Sequence, residues 1–82
     1  MAISETELAN LAAGLITAQA IAILALATTS DIGTKVMPAL NIYAANGPPS
    51  LRTWAARALQ TALAGGDLNT RELVALLKTA KH

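Results

Sequence analysis

The longest uncharged stretch, residues 8–30, limits what this chain can fold into. It follows Ser4-Glu5-Thr6-Glu7, a capping box in which Ser4 caps a helix and Glu7 reaches back to the cap. No proline and no turn cluster interrupts the stretch before Thr28. We therefore predict a first helix over about residues 5–28, long enough to span a lipid bilayer or to form the centre of a bundle.

The composition predicts an all-α chain. Hydrophobic residues make up 54% of the sequence and charged residues only 13%, whereas an ordinary soluble domain carries about 25% charged residues. Alanine dominates the apolar residues, Phe is absent, and there is one Tyr and one Trp. Alanine has the highest helix propensity, and the alternating β-branched runs typical of strands are missing.

Three shorter helices are predicted over about residues 34–46, 50–64 and 70–80. Asn46-Gly47 and Gly65-Gly66 are typical helix stops, and Asn69-Thr70-Arg71-Glu72 forms a second capping box. Turn residues at 30–33 predict a break before the second helix, in which Pro38 either lies in the first turn or causes a kink. Because short connections favour antiparallel neighbours, we expect one domain: a compact bundle of four helices.

The apolar excess predicts that oligomerisation completes this bundle. A domain of 82 residues buries only about 60–65% of its unfolded surface, so the remaining apolar surface needs another subunit, a larger assembly or a membrane. In the first half of helix 1, Leu8, Leu11, Leu15 and Ile16 share one face, and an amphipathic stripe of this kind is expected to face the core. Beyond residue 20 the helix is apolar on every side, which predicts a central helix covered by its neighbours and by another subunit. The predicted oligomer or partner interface comprises Gln19, Ile21, Ile23, Leu24, Leu26 and Trp54.

Two of these residues have alternative interpretations. The Gln19 amide either bonds a backbone carbonyl or pairs with its copy across an oligomer axis, as a buried Asn does in coiled coils. Trp54 either anchors the core of the chain or acts as an interface anchor.

A membrane location is the main alternative. The 19-residue window at 9–27 has a mean hydropathy of roughly +1.8, in the range of membrane spans. Gly14, Ala18 and Ala22 form a ladder of small residues of the kind that packs membrane helices. The acidic N-terminal part would then face outward and the basic C-terminal part inward. Gln19 in mid-span and the amphipathic first half favour a soluble helix instead, in the cytoplasm or within a soluble assembly.

Nothing in the sequence predicts catalysis. Cys is absent, the single His is His82, and the five carboxylates lie at predicted helix starts or in turns. We therefore expect no catalytic or metal site, no cofactor and no small-molecule substrate. A possible basic surface on helices 3 and 4 comprises Arg52, Arg57, Arg71, Lys78 and Lys81, although a pI near 8.2 is low for a nucleic-acid binder.

The resulting hypothesis is a non-enzymatic helical structural or interaction module. It acts as a homo-oligomer or as a small subunit of a larger assembly, such as a virion component. The alternatives are a small single-span membrane protein with helix 1 inserted, and a weak nucleic-acid-binding module that uses helices 3 and 4.

Overall fold

A computed structural model describes residues 3–45 and 50–79 of the chain, and every regular element in these ranges is a helix. Its elements are α1 (Glu5–Leu26), α2 (Thr29–Asp31), a π-helical turn (Ile32–Val36), α3 (Met37–Ala44), α4 (Leu51–Leu63) and α5 (Thr70–Thr79). Because α2, the π-helical turn and α3 follow one another without a gap, they form one of four helices in the described ranges. The predicted helix ends at 46 and 80 lie outside the described residues.

Helix α1 begins as predicted, at a complete capping box. The Glu7 N–H donates to the Ser4 Oγ over 3.1 Å, and the Ser4 N–H donates to the Glu7 Oε1 over 3.4 Å. The helix ends at Leu26, two residues before the predicted end, where the backbone of Ala27 is extended. Thr28 then caps the next helix, since its Oγ1 accepts the Asp31 N–H over 3.0 Å.

The predicted break at residues 30–33 is wrong, because these residues are helical. The second helix begins at Thr29 instead of at residue 34, and it widens into a π-helical turn just before Pro38. In that turn the Met37 N–H donates to the Ile32 carbonyl, five residues earlier. Pro38, which has no N–H to donate, occupies the first turn of α3. The change of helical register thus accommodates the proline without ending the helix.

Helix α4 lies at the centre of the globule and contacts α1, α3 and α5. Its buried residues are Thr53, Trp54, Ala56 and Ala58. The expectation that helix 1 is central is therefore wrong. Because small side chains let neighbouring helices approach closely, the alanines of α4 allow it to be packed from more than one side.

The main core cluster is small. It consists of Ala9 from α1, Trp54 and Ala58 from α4, and Leu73 from α5, with Ile16 and leucines of α5 packed against it at partial burial. Asn69 caps the start of α5 as predicted, and the contact back from Asn69 to Glu72 is made by the side-chain amide. The Glu72 N–H donates to the Asn69 Oδ1 over 3.1 Å, and the Asn69 amide reaches back to the Glu72 carboxylate at 3.5 Å.

Candidate functional site: an exposed apolar face of helix α1

Helix α1 buries Ala9 and Ala20 and turns its leucines toward solvent. Ala9 is fully buried and Ala20 is 3% exposed, whereas Leu11 is 55% and Leu15 is 63% exposed. Leu8 is 37% exposed. Of the predicted apolar stripe, Ile16 packs against the core, whereas the expectation that the three leucines face the core is wrong. Helices α4 and α5 pack against the alanine side, where the short side chains let the helices come close together.

The second half of α1 is apolar and largely uncovered. Ile21 is 62%, Leu24 is 51% and Leu26 is 89% exposed, while Ile23 is half-buried. Gln19 is exposed and therefore does not lie inside a buried stripe of the folded chain. Four of the six predicted interface residues thus lie on the surface of α1.

Six exposed residues of α1 follow one another at alternating spacings of three and four. They are Leu8, Leu11, Leu15, Ala18, Ala22 and Ala25, and we call them the apolar seam. This spacing is the a/d pattern of a coiled coil, in which one face of a helix meets a partner helix. The a/d spacing of these six residues can be read from the sequence. It does not show by itself whether the leucines face the core or a partner helix.

An apolar trough runs beside the seam, between α1 and α4. It has two parts, which share Leu15, Ile16 and Ala55 in their walls. The Trp54 groove, about 320 Å³, extends toward Leu8, Leu51, Trp54 and Leu77. The Tyr43 groove, about 330 Å³, extends toward Gln19, Leu40, Tyr43 and Arg52. Both parts are lined almost entirely by apolar atoms, so the trough adds to the uncovered surface next to the seam.

Trp54 anchors the core. Its side chain is 4% exposed, and its indole Nε1 donates a hydrogen bond of 2.9 Å to the Asn69 carbonyl. This bond satisfies the indole N–H and ties α4 to the start of α5. Of the two interpretations of Trp54, the structure agrees with the core anchor, since little of the ring is available to a partner.

The predicted basic residues are partly engaged within the chain. The Arg57 Nε donates to the Ala44 carbonyl at the end of α3 over 3.0 Å, and the Arg57 guanidinium lies 3.8 Å from the Glu72 carboxylate. The Arg52 guanidinium lies over the Tyr43 ring, 5.8 Å from its centroid. Arg71 and Lys78 are exposed on α5, and Lys81 lies outside the described residues. The interaction of Arg57 with α3, which supports a helix C-terminus, was missed from the sequence.

The carboxylates whose contacts are resolved support local structure. Glu7 completes the first capping box, Glu72 contacts the Asn69 side-chain amide, and Asp31 pairs with Lys35 at 3.4 Å on the surface. Within residues 3–45 and 50–79, no group of three or more His, Asp or Glu side chains could hold a metal ion.

Length and composition alone would also let α1 cross a membrane. Its 22 residues include a window with a mean hydropathy of 1.8, and 11% of that window is buried inside the globule. The same composition occurs in signal sequences and in core helices of soluble proteins, which are mostly buried. The low burial of α1 sets it apart from such core helices and leaves its outer face uncovered by the rest of the globule.

Comparison of the chain with protein-family models, with curated proteins and with solved structures gives no match. Function is therefore inferred from the surface of the chain itself.

Proposed function

We propose that this chain is a non-enzymatic helical interaction module that associates with itself through the exposed apolar face of α1. One observation carries the proposal: the leucines of α1 and Ile21 are exposed on its outer surface, while Ala9 lies in the core that α1 forms with α4 and α5. Single exposed leucines are common on soluble proteins. A continuous row of them beside an apolar trough is typical of an interaction site.

The packing of α1 favours a partner in water over lipid. Helices α4 and α5 lie against the side of α1 that carries Ala9 and Ile16. Arg57 on α4 and Glu72 on α5 keep side-chain exposures of 50% and 41%. If α1 entered a bilayer in this arrangement, these charged side chains would be drawn toward the hydrocarbon, which is costly. The proposal therefore locates the module in the cytoplasm or within a soluble assembly.

A membrane span is the second candidate, and the mean hydropathy of 1.8 in α1 favours it. It requires α1 to separate from α4 and α5, because a spanning helix would need lipid around most of its circumference. Separation would uncover Trp54 and Leu73, which α1 covers in the core cluster. A membrane span would thus cover the outer face of α1 with lipid but would expose the apolar core residues of α4 and α5.

Expression without detergent, followed by ultracentrifugation, distinguishes the two candidates. We expect the chain in the soluble fraction, with a mass by light scattering of at least twice the chain mass of 8.4 kDa. Recovery only from the membrane fraction would support the spanning helix. A soluble species that stays at the chain mass at millimolar concentration would contradict self-association.

A further inference from the structure

We infer that α1 pairs antiparallel with α1 of a second copy along the apolar seam, with the two-fold axis at the level of residues 16 and 17. This inference rests on the proposed self-association and specifies its geometry. The occupant of the seam is a second copy of this chain, because the two halves of the seam complement one another in size.

The three large residues of the seam all lie in its first half, and the three small residues all lie in its second half. An antiparallel partner brings the first half of one helix opposite the second half of the other. The facing pairs are Leu8 with Ala25, Leu11 with Ala22, and Leu15 with Ala18 of the second copy. Every layer then holds one leucine and one alanine, so the two helices can keep one interaxial distance along the contact.

This register is the one that uses the whole seam. A shift of one heptad toward the N-terminus would bring Leu11 against Leu15 and leave Ala22 and Ala25 without partners. A parallel pairing would stack leucine on leucine in three layers and alanine on alanine in the other three. Since interaxial distance depends on the side chains at the contact, the parallel helices would have to diverge at one end.

Charge also favours the antiparallel arrangement. Glu5 and Glu7 lie in the first turn of α1, and the chain has no basic residue before Lys35 to offset them. A parallel pair would bring four carboxylates together at one end. In the antiparallel pair the two copies of Glu7 are about 28 Å apart along the helix axis. This exceeds the Debye length of about 8–10 Å at moderate salt, and the two helix dipoles are also opposed.

The residues that flank the seam agree with this geometry. Ile21 of one copy comes beside Gly14 of the other, where an added Cβ atom would meet no other atom within 4 Å in the free chain. The two Gln19 side chains are displaced from one another by about 7–8 Å along the axis. The predicted amide pair across an oligomer axis is therefore not part of this arrangement. Leu24 points away from the seam and serves as a control position.

Cysteine crosslinking tests the pairing, because the natural chain contains no Cys. The variants are Leu11→Cys and Ala22→Cys, oxidised separately and as an equimolar mixture. In the antiparallel pair residue 11 faces residue 22, whereas two copies of either residue are about 16 Å apart along the axis. A disulfide needs Cα atoms within about 7 Å. We expect a disulfide-linked dimer in the mixture at least tenfold above that in either single variant.

Leu8→Cys with Ala25→Cys is a second pair, in case Leu11→Cys disturbs the fold, and circular dichroism checks that each variant remains helical. Leu24→Cys mixed with Ala22→Cys is the control and should give no more than background. Efficient crosslinking of Leu11→Cys alone would show a parallel pair and overturn the inference while self-association stands. A dimer by light scattering that crosslinks at neither mixed pair would also overturn it. A chain that stays monomeric at all concentrations would overturn the proposed function as well.

Discussion

Replacing Leu11 with alanine should weaken the dimer, and replacing Leu24 with alanine should not. The two leucines lie on the same helix and are similarly exposed in the free chain, at 55% and 51%. They differ in direction: Leu11 is on the apolar seam, and Leu24 is displaced around the helix by about 140° at about 100° per residue. The two variants therefore remove the same atoms from similarly exposed positions, and they differ only in the face of α1 that loses those atoms.

The expected size follows from the exposed fraction of Leu11. Leucine has three more carbons than alanine, and burial of each contributes about 0.8 kcal/mol. With 55% of the side chain still exposed in the free chain, dimerisation can bury at most that share, about 1.3 kcal/mol, and incomplete coverage leaves about 1 kcal/mol per copy. Each dimer contains two copies, so Leu11→Ala should cost about 2 kcal/mol of association free energy and raise the dissociation constant about 30-fold.

Sedimentation equilibrium at several loading concentrations measures both dissociation constants directly. For Leu24→Ala we expect a value within twofold of the natural chain. Equal weakening by the two variants would indicate that α1 is covered on all sides, as in lipid or in a larger assembly. No change with Leu11→Ala would refute the assignment of the seam to the interface.

Three further predictions concern the stability of the single chain. Ala9 is fully buried, so Ala9→Leu should overpack the contact of α1 with α4 and α5 and lower the free energy of unfolding by about 1–3 kcal/mol in urea denaturation; an unchanged midpoint would contradict that contact. Trp54→Phe removes the donor to the Asn69 carbonyl and should cost about 1–2 kcal/mol, whereas a neutral effect would mean that this bond adds nothing. Ser4→Ala removes the acceptor of the Glu7 N–H and should cost about 1 kcal/mol, seen as faster amide exchange in the first turn of α1, with exchange in α5 as the control.

Features set by neighbouring residues were predictable from the sequence. The Ser4 and Asn69 caps form as predicted because each side chain needs only one turn of helix to reach the N–H of Glu7 or Glu72. The four-helix, all-α architecture also follows from local propensity and from the turn residues between helices.

The orientation of α1 could not be predicted from hydropathy. The amphipathic pattern identifies the leucine face as the more apolar one, and the more apolar face of a helix normally packs against the core. The face that packs inward is instead set by how closely α4 and α5 approach, and alanines such as Ala9 and Ala20 allow the closer contact. That approach depends on residues more than 30 positions away, so it is not a property of the α1 sequence alone.

The second helix shows a different limit. Thr28 and Pro38 are both recognisable helix signals, but residues 30–33 have the composition of a turn. The π-helical turn at Ile32–Val36 lets the helix that Thr28 caps continue past residues 30–33 and Pro38, and its hydrogen-bond register cannot be read from residue types.

Small-angle X-ray scattering of the natural chain over a concentration series shows whether a second copy covers α1, because it gives mass and size together. We expect forward scattering equivalent to twice the chain mass of 8.4 kDa and a radius of gyration above the 13.4 Å of the single chain. Both values should fall toward those of the single chain with Leu11→Ala. A mass of 8.4 kDa and a radius of gyration near 13.4 Å at every concentration would contradict the claim that a second copy covers α1.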